Sequence, residues 1–295
     1  HVIWTSLSED FLPKLLGGVD GHGAPPGTYL ALSPLFLWPA SLIIIPGVLS
    51  ALKYRSESTI RFVLAWGLGT WLMFEAVPTK LPHYIVPAIP AFALSAATVL
   101  ARGQFTIPTW SKSLWTVVSI FLSSVLVWAA ITYGGSLIVA SLIAALLCIG
   151  TITVWLPIGQ LFGFTPIIAM AVLGLIFSVY LPSLTDLNLS SRLEQSIRIA
   201  EGKPTVLTRY REPSAVFLIG TETRLTTLAK AIDHMINETA ATAAIAEDEL
   251  KEAKRLAKVR NRTLVEIDQL SGYNYSKARA EDLVLIRILT ENSIP

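Results

Sequence analysis

Long uncharged stretches in the first two thirds of the chain constrain its fold more than any other feature. Residues 29–181 carry only eight charged side chains, while 16 of the 23 Lys and Arg residues and 16 of the 21 Asp and Glu residues follow residue 181. Over all 295 residues, 15% are charged and 53% are hydrophobic, whereas about 25% of residues are charged in a typical soluble domain. We therefore expect a membrane-embedded part followed by a water-soluble part.

Six apolar segments approach the length of about 20 residues that a helix needs to cross a bilayer. They are 29–52, 61–77, 84–101, 113–133, 136–156 and 161–181. Prolines inside them are tolerated in a membrane when neighbouring helices satisfy the carbonyl groups that the prolines free. The tryptophans near the predicted ends, where indole rings prefer the interface, are Trp110, Trp115 and Trp155. The sequence thus predicts a multi-span α-helical membrane protein with an outer loop at 1–28, six transmembrane helices within 29–181 and a soluble domain at 182–295.

Basic residues alternate between the loops that connect these segments. The second loop holds only Lys80, whereas the first and third loops hold Lys53, Arg55, Arg61, Arg102 and Lys112. Cytoplasmic loops carry an excess of Lys and Arg, so the first and third loops are predicted to face the cytoplasm. The segment before residue 28, the Lys80 loop and the C-terminal domain then face the opposite side, which is the periplasm in a bacterial inner membrane. The net charge of +2 gives no indication of a nucleic-acid partner.

The polar region after residue 181 shows the alternating strands and helices of a small α/β domain. Ser191 followed by Glu194 resembles a capping box that opens a helix. The predicted helices are 191–199, 221–236 and 247–259, the predicted strands are 206–208, 215–219, 264–267 and 283–289, and 240–245 is consistent with a strand or a helix.

Two short stretches place polar side chains at the predicted outer ends of the apolar segments. PTKLPHYIVP holds Lys80, His83 and Tyr84 between prolines, and GVDGHGAPPGTYL holds His22 among glycines. Taken singly, Lys80 is typical of a side chain that reaches the membrane surface, Tyr84 of an interface anchor and His22 of an ordinary loop residue. Together they favour a site for an anionic headgroup, or a metal site in which a neutral histidine is a ligand. Glu75 adds a carboxylate close to lipid, which indicates a functional surface or a specific partner.

The same stretches resemble part of a bacterial family 39 glycosyltransferase. HGAPPGTYL, PTKLPHYIVP, REPSAVFLIGTETRL and GYNYSKAR, in this order, are similar to the C-terminal half of that family. The family is related to protein O-mannosyltransferases and to the aminoarabinose transferase that modifies lipid A. The resemblance extends over nearly the whole chain, and it differs from the family pattern at Gly21 and Thr28, which bears on the choice of acceptor.

The resemblance implies a GT-C fold, which is a multi-span membrane enzyme with an outward-facing site, and a polyprenyl-phosphate-linked sugar as the donor. It implies that Lys80, His83 and Tyr84 bind the carrier phosphate and that His22 helps to bind a divalent metal. The residues expected to shape these loops are Gly23, Pro25, Pro26 and Pro82.

The resemblance also places the catalytic carboxylate in a first outer loop that nothing in this sequence matches. The chain is therefore expected to be a fragment that carries half of a site and is inactive by itself. The predicted function of the whole enzyme is transfer of a sugar from the lipid carrier to a lipid or protein acceptor on the periplasmic side.

Two other functions are consistent with the composition. A transporter or flippase would need charged or broken helices near the bilayer midplane and repeated hydropathy halves, and the sequence shows neither. A non-catalytic membrane anchor for the soluble domain would have no requirement for Lys80 or Tyr84, so replacing these two residues separates an anchor from an enzyme.

Overall fold

The computed structural model describes residues 23–103, 105–201, 204–238 and 241–289, with the backbone alone at 158–162. The chain divides into two compact units. One contains the residues up to Leu126 together with Ser141–Gly174, and the other contains Val127–Ala140 and the residues from Leu175 onward. We call the first the helical unit and the second the sheet unit.

Apolar helices dominate the described residues before Ser183. They are α1 (Thr28–Phe36), α2 (Ser41–Ala51), α3 (Ser58–Ala76), α4 (Ile89–Leu100), α5 (Thr109–Thr132), α6 (Leu137–Thr153) and α7 (Ile158–Leu175). A 3-10 turn at Pro82–Ala88 leads into α4, and a π-helical turn at Ile176–Tyr180 continues α7. Within the described residues, three helical stretches are long and apolar enough to cross a membrane: Pro82–Leu100, Thr109–Thr132 and Gly163–Ser183. The protein therefore has the membrane-embedded helical part that its composition predicts.

The prediction of six spans is confirmed for these three segments only. Ser41–Tyr54 and Leu137–Thr153 are apolar but shorter, and α3 includes both Arg61 and Glu75. The segment 29–52, expected to be one span, is divided into α1 and α2 by four residues that contain a cis Trp38–Pro39 peptide.

Carbonyl groups around the break between α1 and α2 are satisfied by side chains of α5. The Trp115 indole N–H donates to the Pro39 carbonyl at 3.0 Å, and the Ser111 hydroxyl donates to the Leu42 carbonyl at 2.8 Å. The prediction that Trp115 lies at the membrane surface is wrong, because its ring stacks on Trp38 and is 2% exposed. A backbone group left without a partner in lipid would be costly, which explains why an indole is recruited into the interior.

Small residues allow α2, α3 and α4 to pack closely. A Cβ atom added to Gly47 of α2 would lie 2.5 Å from the Cβ of Ala96 in α4. A Cβ atom added to Gly67 of α3 would lie 2.8 Å from the Phe92 ring of α4. Close backbone approach at small residues is a main source of helix association in membranes. These contacts fix the helices from which the polar loops emerge.

The sheet unit contains a mixed sheet with the order β2-β1-β3-β5-β4 among the described strands. β1 (Thr205–Leu207) is parallel to β2 (Arg224–Leu225) and to β3 (Thr242–Ala246), whereas β5 (Arg279–Leu289) is antiparallel to β3 and to β4 (Thr263–Asn274). The accompanying helices are α8 (Leu189–Ile199), α9 (Pro213–Ile219), α10 (Leu228–Asn237) and α11 (Leu250–Val259).

Neighbouring residues along the strands enter two separate cores. Leu207 of β1 and Leu285 of β5 pack in one core with Leu193 of α8. Val206 and Ile286, one position away, pack in the other core with residues of α10 and α11. Because successive strand side chains point to opposite faces, this division shows that helices cover both faces of the sheet, as expected of an α/β domain.

Most of the predicted elements of this domain are present, with three exceptions. The helix predicted at 221–236 begins only at Leu228, and Arg224–Leu225 within the predicted range form β2. The predicted strands at 206–208, 264–267 and 283–289 lie in β1, β4 and β5, and 240–245 overlaps β3. The predicted strand at 215–219 is wrong, because Pro213 opens a helix there and Gly220, with a φ of 126°, follows its end. Proline at the first position and glycine after the last are favourable helix boundaries. The predicted capping box at Ser191 is also wrong, because α8 begins at Leu189.

We predict that Leu193→Ala lowers the free energy of unfolding by about 2–5 kcal/mol, since it leaves a cavity in the core of the sheet unit. Leu193 is 0% exposed. Leu225→Ala is the matched control, because Leu225 is 47% exposed and surface substitutions usually change stability by less than about 0.5 kcal/mol. Denaturant titration of both variants in detergent measures the difference, and equal losses would contradict the assignment of Leu193 to the core.

Candidate functional site

Two loops of the helical unit meet beside the start of α1 and the end of α3. Gly23 and Thr79 form an isolated antiparallel bridge, and the Ala24 N–H donates to the Pro78 carbonyl at 3.0 Å. The HGAPP and PTKLPHY stretches therefore lie side by side, although more than 50 positions separate them in the sequence. His22 lies outside the described residues.

The Glu75 carboxylate caps the start of α1. Its Oε1 atom accepts the N–H groups of Gly27 at 2.7 Å and Tyr29 at 3.2 Å, and its Oε2 atom accepts the N–H group of Leu30 at 3.1 Å. The first N–H groups of a helix have no partner within that helix, and a negative charge near them is favoured by the helix dipole. Gly27 precedes α1 with a φ of 95°, a conformation that glycine adopts without steric cost. The specific partner expected for Glu75 is thus the start of a neighbouring helix.

The Lys80 side chain satisfies carbonyl groups at the C-terminal end of α3. Its Nζ atom donates to the carbonyl groups of Phe74 at 3.0 Å and Glu75 at 2.7 Å, and also to that of Val77, in the last turn of α3 and just beyond it. An ammonium group has three donors, so all of them are used. A cation near a helix C-terminus also interacts favourably with the dipole. In the structure, Lys80 holds its own loop against the end of α3.

The buried Tyr29 side chain connects the start of α1 to the Lys80 loop. Its hydroxyl donates to the Leu81 carbonyl at 2.7 Å, and its ring packs against Phe36 and Trp71 with centroid distances of 6.2 and 6.3 Å. The Lys80 Nζ atom lies 5.4 Å from the centroid of the same ring, within the range of a cation–π contact. The side chain is 1% exposed, so Tyr29 is a structural element of the site.

His83 and Tyr84 carry the hydrogen-bonding groups that remain open. Both follow Pro82, which begins the 3-10 turn. The Tyr84 ring packs 5.2 Å from Phe74 and 4.9 Å from His83, measured between centroids. Neither the Tyr84 hydroxyl nor the His83 imidazole has a hydrogen-bond partner among the residues that the structure describes. The exposed imidazole and the half-buried phenol are therefore available to a ligand.

An apolar cavity of about 280 Å³ lies between α1, α2, α3 and α4. Gly27 and Glu75 line it near the joined loops, and Leu49 and Leu52 line it toward the end of α2. Except for Glu75 and Ser33, its lining side chains are apolar. The cavity therefore offers an apolar ligand a place next to a polar loop.

A metal centre finds no support in the described residues. They include no group of three or more His, Cys, Asp or Glu side chains that could hold a metal ion. The Glu75 carboxylate, which lies at the joined loops, already accepts three N–H groups. The metal-binding role of His22 stays a prediction from the resemblance.

Two of the residues expected to shape the loops, Pro25 and Pro26, lie in the turn that precedes α1. The Pro25 carbonyl accepts both the N–H and the hydroxyl of Thr28, at 3.3 and 2.6 Å, and so closes the turn through Pro26 that precedes α1. Sequence reasoning missed that Glu75 and Lys80 serve helix ends. The sequence contained one signal for the role of Glu75. A carboxylate in the last turn of a helix interacts unfavourably with the dipole of that helix, so it requires a partner elsewhere.

We predict that Glu75→Gln lowers the free energy of unfolding of the helical unit by about 1–3 kcal/mol, because hydrogen bonds to a charged group become bonds to a neutral one. The substitution keeps the shape of the side chain and removes the charge at the start of α1. Glu222→Gln, at an exposed position of the sheet unit, is the control for the loss of one charge. Thermal unfolding in detergent compares the two, and a midpoint for Glu75→Gln equal to that of the control would refute the capping role.

Comparison with known proteins identifies a similar fold and no matching sequence family. No protein-family model matches the sequence, and no curated protein matches it. Among solved structures, the chain is similar to ArnT from Cupriavidus metallidurans in the apo state, with a TM-score of 0.51 and 12% identity over 97% of this chain and 57% of that one. It is also similar to the same protein bound to undecaprenyl phosphate, with a TM-score of 0.52 and 12% identity over 100% of this chain and 59% of that one.

The chain thus spans less than two thirds of the length of ArnT. At this identity the likeness concerns the fold, which is an ArnT-like arrangement of membrane helices with a C-terminal sheet domain.

Proposed function

We propose that this chain forms the carrier-lipid site of a membrane glycosyltransferase of the family 39 type. The enzyme would move a sugar from a polyprenyl phosphate to a lipid or protein acceptor outside the cytoplasm. The observation that carries the proposal is the pair of open donors, His83 and Tyr84, in the loop that follows α3, while Glu75 in the last turn of α3 lines an apolar cavity. A polyprenyl phosphate has the same two parts, a polar head and an apolar tail, and ArnT, which has a similar fold, has been solved with undecaprenyl phosphate bound.

The cavity between α1 and α4 supports the proposal for the tail. Its lining is apolar over nearly its whole extent, from Leu30 beside the joined loops to Leu52. Placing hydrocarbon there removes apolar surface from water at the loop end, which is favourable. The carrier would thus enter with its tail between the helices and its phosphate at the loop.

The loop supports the proposal for the phosphate. The Tyr84 hydroxyl and the His83 ring have no other partner among the described residues, and hydrogen bonds to an anionic oxygen are shorter and stronger than those between neutral groups. Lys80 adds a positive charge at the same loop, but its three donors are held by carbonyl groups. Its contribution to a bound phosphate is therefore electrostatic as long as those bonds persist.

The proposed reaction is a displacement at the sugar. The acceptor hydroxyl oxygen forms a bond to the anomeric carbon, the bond from that carbon to the phosphate oxygen breaks, and the hydroxyl proton passes to a general base. The phosphate leaves as an anion, where the donors of Tyr84 and His83 stabilise the developing charge. The proposal assigns no base to the described residues, because the Glu75 carboxylate is bound to α1, and no step of it uses a metal.

The orientation proposed for the site rests on the length of α3. Glu57, next to the start of α3, pairs with Arg102 at 2.6 Å, and Lys80 lies at the other end. The 19 residues of this helix separate the two ends by about 28 Å. If the basic loop that contains Arg102 lies in the cytoplasm, the Lys80 loop lies on the periplasmic side of the inner membrane.

We predict that Tyr84→Phe in the full-length enzyme lowers kcat/KM for the carrier-linked sugar by about 10- to 100-fold, as expected for the loss of one hydrogen bond to a charged group. The ring and its packing on Phe74 are retained, so the fold should be unchanged. Tyr133→Phe is the matched control, since its hydroxyl also lacks a hydrogen-bond partner among the described residues and it belongs to the sheet unit. The measurement is release of free polyprenyl phosphate from the radiolabelled donor.

The same assay separates the rival functions. Turnover of Tyr84→Phe and His83→Gln equal to that of the unchanged enzyme would reject these donors as phosphate ligands and favour a membrane anchor. Movement of the carrier across vesicles without consumption of the sugar would favour a flippase.

A further inference from the structure

A second cavity, of about 500 Å³, lies in the helical unit near the start of α3, away from the Lys80 loop. It is formed where α2 and α4 end and where the chain turns toward α5. Its lining combines charged, aromatic and apolar side chains, among them Leu49, Lys53, Tyr54, Arg102, Phe105 and Trp110. Neither the proposed carrier site nor the proposed reaction uses it.

The chain segments around this cavity carry an excess of positive charge. Residues 53–61 and 102–112, which include the starts of α3 and α5, contain five cations, Lys53, Arg55, Arg61, Arg102 and Lys112, and one anion, Glu57. The bond between Arg102 and Glu57 joins the first basic loop to the third. The sequence predicts only that these two basic segments face the same side of the membrane, and the structure shows them in contact. The excess of four positive charges makes this end of the helical unit suited to binding an anion.

Lys53 is the open cation of the cavity. Arg102 is held by the Glu57 carboxylate at 2.6 Å and lies 4.2 Å from the centroid of the Tyr54 ring. Lys53 is exposed and has no hydrogen-bond or ion-pair partner among the described residues. A phosphate in the cavity would therefore meet one free ammonium group beside an oriented guanidinium group.

The remaining walls are those of a lipid site at a membrane surface. Leu49, Val99 and Phe105 supply apolar surface, and the Trp110 ring, which is 46% exposed, is of the kind that prefers the level of the headgroups. Basic pockets between transmembrane helices bind the headgroups of anionic lipids. A site for a soluble anion would not require these apolar walls.

We propose that this cavity binds the phosphate group of an anionic diacyl phospholipid, with Lys53 as its principal cation. The glycerol and the first part of an acyl chain lie against Leu49 and Val99, and the Trp110 ring lies beside the headgroup. The site is distinct from the proposed carrier site, because its principal cation lies near the opposite end of α3 from Tyr84; the two cavities share only Leu49 in their linings.

The test is native mass spectrometry of the full-length protein in detergent, titrated with phosphatidylglycerol or phosphatidylcholine of the same acyl chains. We expect phosphatidylglycerol to be retained about fivefold more tightly, and Lys53→Gln to remove this preference while leaving phosphatidylcholine unaffected, as expected for one cation at a membrane surface. Lys53→Arg should keep the preference. Because Lys53 is exposed and unpaired, these variants should fold, which their thermal unfolding midpoints verify.

Two control variants separate a site from general attraction to a basic surface. Arg61→Gln removes a cation in the first turn of α3 that does not line the cavity, and Lys251→Gln removes an exposed cation of the sheet unit. Unchanged lipid preference in both supports the proposal, whereas a loss equal to that of Lys53→Gln overturns it. Retention of the preference in Lys53→Gln also overturns it, as does displacement of phosphatidylglycerol by equimolar inorganic phosphate. No sugar transfer enters this measurement, so its failure is distinct from failure at Tyr84.

Discussion

The hydrogen bonds between the Glu75 carboxylate and the start of α1 hold together the two joined loops of the helical unit. Three N–H groups that α1 cannot satisfy internally are satisfied by one side chain from the end of α3. The same stretch of chain then turns back, and Lys80 satisfies the carbonyl groups at the end of α3. The start of α1 is thus capped by a carboxylate and the end of α3 by an ammonium group, and both side chains hold the joined loops in place.

The requirement to satisfy polar groups in an apolar surrounding operates elsewhere in the molecule too. Trp115 and Ser111 supply partners for carbonyl groups around the break between α1 and α2. Some buried polar atoms nevertheless have no hydrogen-bond partner among the described residues, including the Nε1 atom of Trp38. Tyr84 and His83 near one end of α3, and Lys53 near the other, have no hydrogen-bond or ion-pair partner through their side chains among the described residues. Their availability supports two separate ligand sites, one for the carrier and one for a membrane lipid.

The sequence predicted the type of fold better than the roles of individual side chains. Charge and hydropathy were sufficient to separate membrane helices from a sheet domain, because burial in lipid excludes charge over long stretches. The break at Trp38–Pro39 was missed, because hydropathy does not register where a helix is interrupted. The helix at 213–219 was read as a strand, since a short apolar run fits either structure, although Pro213 and Gly220 carried the correct signal. Charge and the family resemblance predict that Lys80 binds the carrier phosphate, and only the structure reveals the three carbonyl groups that hold it.

Leu49 lines both the apolar cavity and the basic one. Its side chain, which is 53% exposed, therefore contributes to two cavities whose linings differ in polarity. A change in the size of this residue would alter the apolar wall of both cavities at once. A substitution of Leu49 would therefore not report on either cavity separately, whereas a substitution of Trp71 or Lys53, each of which lines only one of them, would.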